Sequence, residues 1–286
     1  MNIQGEWVLI TGAAGGLGSA IAMEFASRGA NLILTDLDVT SMETLSSDAT
    51  SRGATVLCLA HDVTDRARWK AIADELSAAG RQPRVLVNNA GVAAAGSVLG
   101  LSDESWEQVI NIDLWGVIHG CREFVPRMQQ TPGTSGVLNV ASCAGFIGLP
   151  LGSAYSIAKA GVIRLTQSLQ CEIDPDSVSF TALCPGAFHT GIWASAGTLG
   201  AVLPSTMARI TRASKPDKRD PSQVARRAVK GLLAGRPVVK VYSEAWILDA
   251  ATRLIPAGWF AKISRRLYKR SFPNISDNAA RDENLS

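Results

Sequence analysis

An apolar run, Trp7-Val8-Leu9-Ile10, gives way to Thr11-Gly12-Ala13-Ala14-Gly15-Gly16-Leu17-Gly18 and then to a helix-periodic segment over residues 20–28. A short buried strand, a turn almost free of side-chain bulk and a helix leave few folds open. Turns of this kind let backbone N–H groups approach a pyrophosphate, and the helix N-terminus faces its negative charge. A plain tight turn also uses glycine, but the flanking strand and helix favour dinucleotide binding. Gly12, Gly16, Leu17 and Gly18 are therefore candidate cofactor contacts.

The pattern repeats down the chain. A second strand over residues 30–35 ends at Asp36, about twenty residues past the glycines, where an acid accepts hydrogen bonds from ribose hydroxyls and repels a 2′-phosphate. No Lys or Arg lies within residues 11–18 or directly after Asp36. Together these favour NAD over NADP. A third strand over residues 55–60 leads to Asp62 and Val63. Asp62 either touches the adenine amino group or caps the helix that starts near Asp65. A fourth strand over residues 84–87 runs into Asn88-Asn89-Ala90-Gly91. Its small residues let the backbone pass close to a cofactor, and its Asn side chains are suited to pinning neighbouring strands. A helix over residues 104–123 contains Asn111 among Val109, Ile110, Ile112 and Leu114. A polar group in that setting is expected to be buried and hydrogen-bonded. It is either a satisfied core residue or the holder of a water beside Lys159. A fifth strand over residues 136–141 ends at Ser142.

After a Gly- and Pro-containing interval comes Tyr155-Ser156-Ile157-Ala158-Lys159. In a helix, Tyr155 and Lys159 share a face one turn apart. Phenol, with a pKa of about 10, is a poor acid or base near neutrality, and a nearby ammonium lowers that value. The pair is a candidate proton donor and acceptor for an alcohol or a carbonyl. The Ser142 hydroxyl can be brought beside it by the intervening loop.

Thr11 through Gly18, Asp62, Asn88-Asn89-Ala90-Gly91, Asn111, Ser142, Tyr155-x-x-x-Lys159 and Pro185-Gly186 occur in one order and spacing. In this the chain resembles the short-chain dehydrogenase/reductase family, in its shorter, single-domain branch, over residues 4–245. The resemblance implies a Rossmann-type α/β fold, a doubly wound parallel sheet of about seven strands with helices on both faces. It implies a catalytic set of Asn111, Ser142, Tyr155 and Lys159, and a homodimer or homotetramer. It also implies NAD contacts from Asn89, Ala90, Gly91, Tyr155, Lys159, Pro185, Gly186, Phe188 and Thr190, with Phe188 larger than the usual small aliphatic residue. The expected activity is hydride transfer between NAD(H) and a secondary alcohol or ketone. A non-catalytic NAD-binding sensor would keep the glycines and lose the catalytic set.

Composition narrows the alternatives. A chain of 286 residues, 47% of them hydrophobic, can bury a large core. Net charge is +3, and few aromatics are interleaved with basic residues, so nucleic acid is not an expected partner. Three scattered histidines argue against a metal site. Five scattered cysteines read as reduced thiols, which suggests a cytoplasmic protein. The substrate side falls on residues 191–219, where Ile192, Trp193, Leu199, Val202, Leu203, Met207 and Ile210 suit a lipophilic alcohol or ketone or simply pack a lid. Arg209, Arg212, Lys215, Lys218 and Arg219 either favour an anionic substrate or form a solvated basic face, the second being the expected one. Residues 221–234 read as a helix with Asp220 as its cap, and residues 238–242 as the last strand. Residues 1–245 form the expected catalytic domain, and residues 246–286 an amphipathic helical extension of it. Pro256 and Gly258 are expected to split that extension. Its apolar side packs on its own domain, covers a second subunit or lies on a membrane surface.

Overall fold

The computed structural model describes residues 1–186 and 219–271. Seven strands form a single parallel sheet: β1 (Trp7–Thr11), β2 (Asn31–Asp36), β3 (Val56–Ala60), β4 (Pro83–Asn88), β5 (Ser135–Val140), β6 (Val178–Pro185) and β7 (Val238–Val241). Their spatial order is β3-β2-β1-β4-β5-β6-β7. The order reverses between β1 and β4, where Val8 pairs with Val85 and Ile10 with Val87. In such sheets, ligands bind at the strand ends beside that reversal.

Each central strand is apolar on both sides because both sheet faces are covered. Alternation decides which layer each residue joins. Val8, Ile10, Leu32, Leu34, Val85 and Val87 face α1 (Gly16–Ala26), which supplies Ile21 and Phe25. They share this layer with α2 (Glu43–Ser51). Leu9, Ile33 and Leu86 face α3 (Arg66–Ala78), where Trp69 and Ile72 are buried. On this second face α4 (Asp103–Ile110) continues through a widened π turn, Asn111–Trp115, into α5 (Gly116–Gln129). Next to it lies α6 (Ser153–Glu172). After β6, α7 (Pro221–Leu233) returns to the first face, its N-terminus capped by Asp220, whose side chain accepts from the Ser222 N–H.

The chain closes with α8 (Ser243–Leu254) and α9 (Ala257–Ser271), parted at Ile255-Pro256 as the proline predicts. The α8 helix runs straight through the expected boundary at 245/246. It is tied to the sheet by buried Ala245 and by Asp249, which is paired with Lys240 of β7. Trp246, Ile247, Leu254, Trp259 and Ile263 are exposed. No helix among the described residues is long and apolar enough to cross a membrane.

Candidate active site

The glycine turn lies at the C-terminal end of β1. Gly12 has φ +61°, and a Cβ there would come within 2.8 Å of Ala90 Cα. Only glycine combines that backbone with that approach. A Cβ at Gly18 would overlap the Gly12 carbonyl oxygen and lie 2.8 Å from Asn89 Nδ2. The α1 helix begins at Gly16, four residues before the periodic segment the sequence suggests. No side chain caps it, and its first turn carries no acid. Uncapped first-turn N–H groups beside open space at Gly16 suit a phosphate. Leu17 is buried beneath them.

Asp36 ends β2 beside this turn. Its Oδ2 accepts from the Ala14 N–H at 2.9 Å, and its Oδ1 from the Leu37 N–H at 2.9 Å. The carboxylate is thereby held at the mouth of the glycine turn. Asp62 follows β3 and accepts from the backbone and hydroxyl of Thr64. It does not cap the next helix, for that cap is Asp65, which accepts from the Ala67 and Arg68 N–H groups. Val63 is buried against Gly116. Asn88 donates to Asn139 Oδ1 at 2.8 Å and so ties β4 to β5. Asn89 donates to the Thr11 and Gly12 carbonyls at 2.9 and 3.0 Å, pinning the glycine turn. Ala90 and Gly91 continue along the same edge. Pro185 and Gly186 lie at the end of β6, where the Gly186 N–H donates to the Val241 carbonyl. Phe188, Thr190 and residues 191–218 lie outside the described residues. Arg219 pairs with Glu244 at 2.5 Å and stacks on Tyr242, so its charge is met within the protein rather than by solvent.

Ser142, Tyr155 and Lys159 come together at the ends of β5 and α6. Ser142 Oγ accepts from the Ala144 N–H at 3.1 Å and lies beside the Tyr155 phenol, where it favours the phenolate. Lys159 Nζ lies 5.6 Å from the Tyr155 ring centroid and donates to the Val140 carbonyl at 3.0 Å. Ala93, Ala94, Ala95, Leu101, Ala144, Ala154 and Ala158 pack around the phenol.

Asn111 is not part of this cluster. Its side chain is exposed at the start of the π turn. The buried polar residue is Asp113, two positions on, whose Oδ2 is 3.0 Å from Lys159 Nζ and whose Oδ1 accepts from the Val92 N–H at 2.7 Å. Two residues along a helix advance by about 200°, so the two side chains point to opposite sides. The inward stripe was legible: Val109, Asp113, Val117 and Cys121 recur every four residues, and all are buried.

This substitution also corrects the expected titration of the phenol. Burial pushes the Tyr155 pKa up; Lys159 pulls it down, Asp113 opposes that pull, and the net direction is above the ordinary value. Burial likewise raises Asp113, against the pull of Lys159. For Lys159, burial is the largest influence and favours the neutral amine, but the Asp113 carboxylate and the Tyr155 oxygen together outweigh it and the net direction is up.

Comparison with known proteins agrees with the geometry. The family model for the short chain dehydrogenases matches residues 6–198. The chain belongs to the short-chain dehydrogenase family. A curated relative named "Probable oxidoreductase EphD" from Mycobacterium tuberculosis is 31% identical over 255 residues, covering 87% of this chain and 43% of its own length. The chain thus spans less than half of that relative. A family member from Burkholderia phymatum, solved in complex with NAD, superposes with a TM-score of 0.81 at 29% identity, covering 89% of this chain and 94% of that one. Another, from Sphingobium yanoikuyae and solved in complex with NADPH, gives a TM-score of 0.70 at 27% identity, covering 93% and 95%. These two solved family members thus hold different nicotinamide cofactors. Oxidoreductase chemistry on a small molecule suits the Ser142-Tyr155-Lys159 cluster.

Proposed function

We propose that this chain transfers a hydride between NAD(H) and a secondary alcohol or ketone of lipophilic character. The observation that carries the reading is the meeting of the buried Ser142 hydroxyl and Tyr155 phenol with the Lys159 ammonium behind the ring. Bound NAD supplies the hydride chemistry. The glycine turn and the first turn of α1 hold the pyrophosphate, and Asp36 accepts from the adenosine ribose. Ser142 donates to the substrate oxygen and orients it, its Oγ held in place by the Ala144 N–H. Tyr155 takes the alcohol proton in oxidation and returns it in reduction. Lys159 stays protonated behind the phenol, with Asp113 as its counter-charge.

Asp36 supports NAD over NADP, since a second negative charge at its carboxylate is repelled. Comparing kcat/KM for the two cofactors tests this, and a clear NADP preference refutes it. A screen of hydroxy compounds graded in size and polarity, read as NAD reduction, tests the activity. Turnover confined to small polyols refutes the lipophilic substrate, and no turnover with any alcohol or ketone refutes the reaction class.

The exposed face of α8 and α9 fits a contact between subunits of a cytoplasmic homodimer or homotetramer. Lys262, Arg265, Arg266, Lys269 and Arg270 are exposed beside it, which keeps an anionic membrane surface as the second reading. Co-sedimentation with anionic liposomes of the full chain and a chain ending at Ile255 separates the two. Equal partitioning removes the membrane.

A further inference from the structure

Lys159 is faced by a carboxylate. Asp113 is 0% exposed and Lys159 2%, and their charged atoms are 3.0 Å apart. Gly91 makes room for the pair: a Cβ there would come within 3.1 Å of Asp113 Oδ2 and 3.3 Å of Lys159 Nζ. The Val92 N–H fixes the other carboxylate oxygen, and the Val140 carbonyl fixes the ammonium from the opposite side.

We propose that Asp113 is a positioning residue that clamps Lys159 and cancels its charge beside Tyr155, so that the resting site holds a protonated phenol ready to reduce a carbonyl. The proposal rests on the reading of Tyr155 as the proton-transfer group. An amide in the same place would orient Lys159 without neutralising it. The Lys159 charge would then act in full on the phenol and favour phenolate.

Among the described residues, the groups facing Tyr155 include Lys159 on its own helix, Asp113 from the π turn, and Ser142 and Cys143 from the end of β5. Burial raises the Cys143 thiol, so it stays neutral. Lys159 is thus the only cation in this set and Asp113 its counter-charge, and the upward direction of Tyr155 agrees with that balance. In reduction, the carbonyl carbon gains a hydride from NADH and its π pair moves to oxygen. That oxygen takes the Tyr155 proton, leaving an alcohol, NAD⁺ and a phenolate that solvent reprotonates. Oxidation starts from the phenolate and needs alkaline pH.

Two measurements test the proposal. In the cofactor-free protein, the ultraviolet difference titration of wild type against Tyr155→Phe is expected to show the Tyr155 phenolate only above pH of about 10. A phenolate near neutrality overturns the proposal, and this readout needs neither substrate nor turnover. In Asp113→Asn, the pH profile of alcohol oxidation is expected to move about one unit to lower pH. A profile that superposes on wild type overturns it. Should Asp113→Asn not fold, the titration of the wild-type protein decides alone. A raised phenol in a protein that turns over no alcohol or ketone would leave the charge balance standing and remove only the reaction.

Discussion

Asp113 Oδ2 and Lys159 Nζ lie 3.0 Å apart with neither side chain reaching solvent. A buried pair of this kind adds little to stability as a pair, yet removing one partner strands the other charge. Lys159→Met is therefore expected to lower unfolding free energy by about 3–5 kcal/mol. Asp113→Leu added to it is expected to recover a large part of that loss. Urea denaturation of the single and double variants checks both, and a double variant no better than the single contradicts the account.

The glycine turn separates fold from affinity. Alanine at Gly18 collides with the Gly12 carbonyl and the Asn89 amide, whereas alanine at Gly16 meets nothing within 4 Å. Gly18→Ala is expected to lose several degrees in thermal unfolding together with its cofactor affinity. Gly16→Ala is expected to keep the wild-type Tm and to weaken NADH binding roughly tenfold, or about 1.4 kcal/mol. Differential scanning fluorimetry with and without NADH reads both.

Most of the frame was legible because most buried strands announce themselves as short apolar runs stopped by Gly, Asn, Asp or Ser. The order of β1 to β7 and the ends carrying Asp36, Asn88 and Ser142 follow from that pattern. Two expectations fail for separate physical reasons. Helix α1 begins at Gly16 rather than after the glycines, because first-turn residues need no side chain to be helical when their N–H groups face outward. Asn111 stands amid Val109, Ile110, Ile112 and Leu114 and so reads as the buried polar residue, but it is Asp113 that turns inward. The four-residue stripe through Val109 and Val117 would have chosen correctly, and it points to a counter-charge that only the fold brings near: Lys159, far along the chain. The raised phenol follows from that same long-range pairing.

His61 predicts an acid sensitivity unrelated to catalysis. Burial, aided by the Arg68 charge and opposed by Asp62 and Asp65, pulls its pKa down to about 4. Its ring meets Trp69 edge-on at 4.3 Å, and Nδ1 lies 3.2 Å from Thr35 Oγ1. The unfolded imidazole titrates at about 6.5. Between those values the unfolded chain takes up a proton that the folded ring refuses. Stability is therefore full above pH of about 6.5 and falls by about 3 kcal/mol as pH drops to about 4. Urea midpoints across that range are expected to fall in wild type, with a shallower slope in His61→Phe. Parallel slopes would assign the acid loss to other groups.

Tyr155→Phe tests the central claim most directly, since it removes one oxygen and leaves the ring packed between Ala154 and Ala158. The variant is expected to bind NADH with wild-type affinity by fluorescence titration and to lose at least about a hundredfold in kcat. Turnover close to wild type would contradict the assignment of proton transfer to this phenol.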